Sequence, residues 1–248
     1  LSRLIIMVLL LFTFIYILPI KILNIDIPFL ITLMTSHMFS SIFVLLCFLF
    51  VINGANLIDG FNGLLTIHLI IINIILAYIN INNENLEFSI LIISQIITLL
   101  TFLLFNFPNS KIFLGDSGAY TLGALTSLNT IITNNLNPKI SSFFFCTLLF
   151  YLFFEVFFSF FRKLSQKKSP IYPDDKHLHM LSFYKISSIY GKNKGNYLNS
   201  IFINLLYFVL IIPGLYLFND PQLSRYWFFI LLLVYLIIYS RLYHLTKN

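Results

Sequence analysis

Charged residues are scarce in this sequence. Asp, Glu, Lys and Arg make up 10% of the 248 residues, whereas hydrophobic residues make up 59% and the mean hydropathy is +0.92. A soluble domain carries about 25% charged residues, which cover its surface. A chain so poor in charge lacks a water-compatible exterior, and this excludes an ordinary soluble globular domain. The composition is typical of a protein embedded in a lipid bilayer.

Cysteine is also rare, and the sequence carries no pattern typical of strands. Cys47 and Cys146 each lie in an apolar run, without further Cys or His at ligand spacing. This argues against a zinc site and against a disulfide framework. Period-two alternation is absent, and a sheet edge would expose backbone groups that lipid cannot satisfy. Helices are therefore the expected structure.

The start of the sequence shows no targeting segment. It begins at Leu1 rather than Met and enters an apolar run almost at once, without a signal-peptide n-region or a small-residue cleavage site. We expect this start to be the truncated edge of a longer protein.

Eight apolar runs approach the roughly 20 residues that a helix needs to cross a bilayer. They cover about 4–20, 29–52, 64–79, 88–107, 118–133, 141–161, 198–218 and 226–243. The sequence therefore predicts an all-α polytopic membrane protein with about eight transmembrane helices. We expect residues 1–248 to form one transmembrane domain with a long hydrophilic cytoplasmic loop at 162–197.

Positive charge is unevenly divided between the two sides of these runs. The side of the N-terminus holds Arg3, Lys111, Arg162, Lys163, Lys167, Lys168, Lys176, Lys185, Lys192, Lys194, Arg241 and Lys247. The other side holds only Lys21, Lys139 and Arg225. Because Lys and Arg accumulate in cytoplasmic loops, the first side is predicted to be cytoplasmic. The net charge of +6 then reflects topology, and binding of nucleic acid is not expected.

The first of three polar motifs covers residues 53–63, at the inner end of the second run. Its Asp59 is accompanied by Asn53, Asn56 and Asn62, which are good hydrogen-bonding groups, and by glycines. A carboxylate beside a membrane is costly to desolvate, and such groups are candidates for function. Taken alone, the string is equally compatible with an ordinary turn.

The second motif covers residues 106–118 and contains Gly-Asp-Ser-Gly at the start of the next helix. Asp116 suits two roles there. It would cap the helix, since Asp and Ser are preferred at helix starts. It would also serve as a magnesium ligand, because one or two carboxylates together with substrate phosphates satisfy that ion. The helix N-terminus favours an anionic phosphate as well.

The third motif covers residues 173–179, within the long hydrophilic loop. His177 and His179 stand beside Asp174 and Asp175. At least five cations lie nearby: Arg162, Lys163, Lys167, Lys168 and Lys176. This combination suits the binding or protonation of a phosphate. The alternative interpretation of the loop is a solvated linker. A zinc site is not expected, because no further Cys or His stands at ligand spacing.

Together the motifs resemble the polyprenyl-phosphate N-acetylhexosamine-1-phosphate transferases, which are glycosyltransferase family 4. The first is similar to the family's Asn-x-x-Asn-x-x-Asp-Gly-x-Asp/Asn-Gly loop, and the second to its Asn-x-x-Pro-x-x-x-Phe-x-Gly-Asp-Ser/Thr-Gly segment. Glu155, Arg162 and the run from Asp175 to His179 resemble its later helix and His-x-His loop. The match is ordered and covers nearly the whole chain. Without the resemblance, Glu155 would be expected to form hydrogen bonds between helices.

The resemblance implies roles for the matched residues. Asp116 would be the magnesium ligand, and Asp59 an essential carboxylate near the nucleotide and metal. Phe113 would stack on the uracil ring, and Asn56 and Asn106 would line the nucleotide site.

In the third motif, the resemblance implies that His177 and His179 hold or protonate the diphosphate, with Arg162 as a phosphate partner. Further substrate-binding residues would be Asn53, Asn62 and Asp175.

Three features depart from the family pattern. Asn62 stands where many members carry a second aspartate. Met180 replaces a third histidine, so a UDP-muramoyl-pentapeptide substrate is not expected. The family's adjacent aspartate pair, thought to engage the lipid phosphate, is absent. In the family it precedes a segment like Leu1–Leu4, and we expect it to have been lost with N-terminal spans.

The implied activity is transfer of an N-acetylhexosamine 1-phosphate from a UDP-sugar to undecaprenyl phosphate, with release of UMP, at the start of cell-envelope polysaccharide synthesis. The expected cofactor is Mg²⁺, with Mn²⁺ as the alternative, and the expected location is the bacterial inner membrane with the site on the cytoplasmic face. A multi-pass transporter or flippase and an inactive transferase fragment are the competing interpretations. The sequence leaves open the sugar and the oligomeric state, including a homodimer.

Overall fold

The computed structural model describes residues 2–18, 20–170, 172 and 174–247. Leu1, Pro19, Ile171, Pro173 and Asn248 lie outside the described residues, and with them the expected truncated edge and the first residue of the third motif. The described residues form eleven helices and no strand, which confirms the all-α class. The helices are α1 Ser2–Ile17, α2 Pro28–Met34, α3 His37–Ile58, α4 Leu64–Asn82, α5 Leu86–Asn106, α6 Gly115–Leu136, α7 Ser142–Leu148, α8 Phe150–Ser165, α9 Leu178–Tyr190, α10 Lys192–Leu217 and α11 Pro221–Lys247.

Fewer helices qualify as membrane spans than the eight expected. Within the described part, α3, α4, α5, α10 and α11 are long and apolar enough, and α7 with α8 adds a sixth span if this pair is counted as one. The two helices of the pair are bent by 75° around Leu149. Helix α1 is apolar but has only 16 residues. The protein is a multi-pass membrane protein, and the expected count was too high.

Helix α6 has 22 residues but is too polar to qualify by composition. Several of its buried polar side chains form hydrogen bonds with neighbouring helices. The side-chain amide of Asn129 donates to Asn73 Oδ1 on α4 at 3.0 Å and to Gln95 Oε1 on α5 at 2.6 Å. Asn80 of α4 donates to Thr133 Oγ1 at 2.8 Å. These hydrogen bonds satisfy buried polar groups and place α6 in the interior of the bundle.

Helix α3 is the central element that joins the helices carrying the motifs. It packs against α1, α6 and α8. At Gly54 the backbones of α3 and α8 approach so closely that a Cβ would lie 2.1 Å from the carbonyl oxygen of Leu152. Only glycine fits this crossing. Because α3 leads into Asp59 and α8 carries Glu155, the crossing fixes the first motif relative to that part of α8.

Hydrogen bonds between loops also close the end of the bundle opposite the motifs. The side-chain amide of Asn24 donates to the Ile140 carbonyl at 2.8 Å. The Ser142 hydroxyl donates to Asp26 Oδ2 at 3.0 Å. These bonds tie the segment between α1 and α2 to the start of α7.

Candidate functional site

The first two motifs meet at one end of the bundle, where α3 and α5 end and α4 and α6 begin. The backbone N–H of Gly63 donates to Asn106 Oδ1 at 2.7 Å. The side-chain amide of Asn62 donates to the Pro108 carbonyl at 2.8 Å, and its backbone N–H donates to Asn196 Oδ1 of α10 at 2.8 Å. Topology alone predicted that these motifs share one side, and the structure brings them into direct contact.

Asn106 is the joint between these motifs. Besides accepting from Gly63, its side-chain amide donates to the Ile112 carbonyl at 2.9 Å, and the side chain is buried. Both amide atoms are therefore used to hold backbone. The structure gives Asn106 a positioning role, and its contact with a nucleotide stays a prediction.

Asn56 connects the first motif to Asp116. Its side-chain amide donates to Asp116 Oδ1 at 2.9 Å, and the Tyr120 hydroxyl donates to Asn56 Oδ1 at 3.5 Å. Asp116 is the second residue of α6 and is exposed. The N-terminus of a helix favours negative charge, so the same position would also attract an anionic substrate.

Asp59 follows the last residue of α3 and is partly buried. Burial, together with the negative charge of Asp116, raises the pKa of Asp59 to about 7. Its carboxylate accepts no hydrogen bond and forms no ion pair among the described residues. Two neighbouring carboxylates repel each other when both are negatively charged, and a cation placed between them relieves this repulsion.

The donor set agrees with magnesium better than with zinc. The described residues contain no group of three or more His, Cys, Asp or Glu side chains that could hold a metal on its own. Magnesium commonly uses one or two carboxylates and takes its other oxygens from water and substrate phosphates. Asp116, with Asp59 nearby, fits that pattern.

The side chains of Phe113 and Asn53, in these two motifs, differ in how available they are to a ligand. Phe113 is 77% exposed, so its ring is open to a planar ligand. The side-chain amide of Asn53 instead donates to the Leu49 carbonyl of its own helix at 2.6 Å. Among the described residues, Asn53 forms no hydrogen bond with the other motif residues.

The third motif lies against α8 rather than in solvent. His177 is 5% exposed, with Nδ1 3.1 Å from Glu155 Oε2 and Nε2 3.4 Å from Asp174 Oδ1. Arg162 donates to both oxygens of Asp174, at 2.7 and 3.0 Å. Arg162 therefore binds a carboxylate of the motif itself. Its expected contact with a substrate phosphate stays a prediction.

His179 is the more deeply buried histidine of the pair. Its Nδ1 lies 3.3 Å from the Tyr151 hydroxyl, and burial lowers its pKa to about 4, against the opposing attraction of Glu155. The rings of His177 and His179 are parallel, with centroids 5.4 Å apart. Asp175 is exposed and accepts from the Tyr184 hydroxyl at 3.2 Å.

Aromatic contacts join the third motif to the first. The Phe61 ring meets the His179 ring edge-on at 5.9 Å and the Phe183 ring at 4.9 Å. The stretch 162–197, expected to be one loop, contains the end of α8, the whole of α9 and the start of α10. All three motifs therefore lie at the same end of the bundle, and we call this the motif end.

The sequence model of glycosyl transferase family 4 matches residues 1–134, more than half of the chain. The chain belongs to glycosyl transferase family 4. The matched region includes the first and second motifs and ends before the third.

Two curated relatives show how far family 4 similarity extends. An undecaprenyl-phosphate alpha-N-acetylglucosaminyl 1-phosphate transferase of Thermotoga maritima is 31% identical over 196 residues, which are 79% of this chain and 55% of that relative. A phospho-N-acetylmuramoyl-pentapeptide-transferase of Leuconostoc mesenteroides is 40% identical over 80 residues, 32% of this chain and 25% of the relative. The chain thus spans about half the length, or less, of these relatives. No solved structure matches it significantly.

Some residues of this family 4 site escaped sequence reasoning. The sequence pattern assigns no individual role to Asp174 of the third motif, but the structure makes it the partner of both Arg162 and His177. The pattern does not single out Tyr151 either. Its spacing of four from Glu155 places both on one face of α8, and this spacing is the signal that could have found it, because His177 and His179 face that pair.

Proposed function

We propose that this chain carries the site of a transferase that moves an N-acetylhexosamine 1-phosphate from a UDP-sugar to undecaprenyl phosphate and releases UMP. The hydrogen bond between Asn56 and Asp116 carries the proposal, since it brings an exposed carboxylate at a helix start into the neighbourhood of Asp59. Family membership and the activity named for the Thermotoga maritima relative support it.

The reaction joins two anions. A phosphate oxygen of the lipid attacks the phosphorus that carries the sugar. The bond from this phosphorus to the bridging oxygen breaks, and its electron pair leaves with UMP. Phosphoryl transfer depends mainly on positioning and on stabilisation of charge, so a site made of several loops suits it.

The residues at the motif end would divide this work. Asp116, with Asp59, would hold Mg²⁺, or Mn²⁺ as the alternative; when bound, the ion would neutralise charge on the diphosphate. Asn56 keeps Asp116 oriented through its amide. The exposed Phe113 would stack on the uracil ring. The cations of loops at this end would attract the nucleotide sugar from the surrounding water.

The location belongs to the same proposal. We place the motif end on the cytoplasmic face of a bacterial inner membrane, because the excess of Lys and Arg lies in the loops of that side. Undecaprenyl phosphate would reach it from the lipid, between helices. The step would begin synthesis of a cell-envelope polysaccharide such as O-antigen. A homodimer stays a prediction.

Membranes that contain the chain provide the test. They are supplied with undecaprenyl phosphate and a radiolabelled UDP-N-acetylhexosamine, and label in butanol-extractable lipid is measured together with UMP. We expect transfer above that of vector-only membranes, its loss in Asp116→Asn, and its retention in Glu87→Gln, which changes an exposed acid at the opposite end. Absence of labelled lipid in the unaltered chain would refute the proposal, and uptake of UDP-sugar without transfer would favour a transporter.

A further inference from the structure

A row of four side chains of alternating charge type runs from α8 through the third motif. Arg162 binds both oxygens of Asp174, Asp174 Oδ1 lies 3.4 Å from His177 Nε2, and His177 Nδ1 lies 3.1 Å from Glu155 Oε2. Apart from the partly exposed Asp174, each is at most 8% exposed. Such a row is shielded from water, so each charge depends on its neighbours.

The position of His177 between two carboxylates defines its hydrogen-bonding state. An ionised carboxylate only accepts hydrogen bonds. Both ring nitrogens of His177 face carboxylate oxygens, so both contacts are satisfied only when both nitrogens carry a proton. The ring then bears a positive charge, and the charges along the row alternate from positive Arg162 to negative Asp174, positive His177 and negative Glu155.

Glu155 is the anchor of this arrangement. Its other oxygen, Oε1, accepts from the backbone N–H of Leu178 at 3.0 Å and from the Tyr235 hydroxyl at 2.9 Å. His177 and Leu178 are the residues at which α9 begins. One buried carboxylate thus fixes the start of α9, the ring of His177 and a side chain of α11.

We propose that Glu155 is a positioning residue that keeps His177 doubly protonated and holds the third motif closed on α8. His177 then supplies a fixed positive charge toward the diphosphate and is not the group that donates a proton. The assignment of this charge to the diphosphate rests on the proposed function, whereas the protonation of His177 does not.

The charged and titratable groups that surround His177 come from four elements. They are Glu155, Arg162 and Lys163 on α8, Asp174 in the third motif, His179 on α9 and Tyr235 on α11. Glu155 and Asp174 are the two in hydrogen-bonding contact with the ring, and His179 stacks beside it. A variant at Glu155 therefore removes half of the negative charge that touches the ring.

Solid-state NMR of the chain in bilayers, with ¹⁵N-labelled histidine, tests the protonation directly. His177→Asn identifies the signals of His177 by their loss. At pH 7.5 we expect two protonated ring nitrogens for His177, and one unprotonated nitrogen in Glu155→Gln. A neutral His177 ring in the unaltered chain would overturn the proposal, whether or not the chain transfers sugar phosphate.

The pH profile of transfer provides the second readout. Loss of the Glu155 charge disfavours the protonated ring. Transfer by Glu155→Gln should therefore fall about tenfold at pH 8, relative to the unaltered chain, and return to within about threefold at pH 6. Tyr235→Phe removes a hydrogen bond to the same carboxylate but no charge, and should lower thermal stability without a new pH dependence. If Glu155→Gln lowers the rate of transfer equally at pH 8 and pH 6, Glu155 has only a structural role and the proposal is wrong. If that variant does not fold, Asp174→Asn replaces it, with the same expected direction and the same refuting result.

Discussion

The side-chain amide of Asn56 lies 2.9 Å from Oδ1 of Asp116, although the two residues are 60 positions apart in the sequence. This hydrogen bond joins the end of α3 to the start of α6. It aims the exposed carboxylate while leaving its second oxygen free of any hydrogen bond to the described residues. The geometry is what a ligand needs if it is to be held in place and still reach a cation.

Replacing Asn56 should therefore weaken catalysis more than folding. Groups that orient a metal ligand typically contribute about 10- to 100-fold to metal affinity or activity, and we expect Asn56→Leu to lose transfer on this scale and to require more Mg²⁺. Magnesium titrations of transfer measure it. Asn83→Leu is the matched control: among the described residues, the Asn83 amide donates only to the Ile79 carbonyl of the preceding helix, at the opposite end of the bundle. A normal magnesium requirement in Asn56→Leu would contradict the assignment.

Asn106→Ala should loosen the joint between the first two motifs. The change leaves the Gly63 N–H and the Ile112 carbonyl without their partner, and an unsatisfied buried group costs about 1–3 kcal/mol. We expect a lower midpoint of thermal unfolding in detergent and faster hydrogen exchange in residues 107–114. Asn109→Ala changes an exposed amide three residues away and should behave like the unaltered chain. Unchanged exchange in Asn106→Ala would mean that the joint is not needed.

Phe113→Ala should affect substrate binding and nothing else. Its ring is 77% exposed, so removing it forfeits little packing. Stacking of an aromatic ring on a base contributes about 1–3 kcal/mol, which corresponds to roughly a 5- to 150-fold rise in KM for the UDP-sugar. Initial rates at varied UDP-sugar measure this, and Phe113→Tyr should restore most of it. A fall in thermal stability of Phe113→Ala, with KM unchanged, would show that the ring packs instead.

Acid should destabilise the chain through His179. Because burial lowers its pKa to about 4, the unfolded chain binds a proton between pH 6.5 and 4 that the folded chain does not. This contribution to stability is complete above about pH 6.5 and is lost as the pH falls, about 2 kcal/mol by pH 5. Unfolding midpoints at pH 7.5 and 5 should differ less in His179→Gln than in the unaltered chain. His244→Gln, an exposed histidine, should leave the difference intact; equal slopes in all three would disprove the effect.

Hydropathy predicted most of the helices because long apolar runs leave few alternatives in lipid. The run 64–79 is found as Leu64–Asn82, and 88–107 as Leu86–Asn106. The run 29–52 is interrupted instead: α2 ends at Met34, and α3 begins after Ser36, whose side chain caps it. Apolar composition continues across this break, so hydropathy could not show it.

The placement of the candidate site at one end of the bundle was predictable from residue type and topology, whereas the contacts within it were not. Asp59, Asp116 and Phe113 lie at the motif end, and their expected roles stay predictions. Nothing in the sequence showed that both the oxygen and the nitrogen of the Asn106 side-chain amide would form hydrogen bonds to backbone groups. Glu155 was expected to bridge helices, and it does so through Tyr235, but its contacts with the third motif depend on a fold that brings residues 155 and 177 together.

The polar interior face of α6 has a consequence for how the protein is made. Asn129 and Thr133 find their partners on α4 and α5, which leave the ribosome first. On its own, a segment with such side chains enters lipid reluctantly. We expect α6 to insert into the membrane together with α4 and α5, after these two helices have remained beside the translocation channel. The carboxylate of Asp116 then reaches its place through the order of biosynthesis as much as through the final packing.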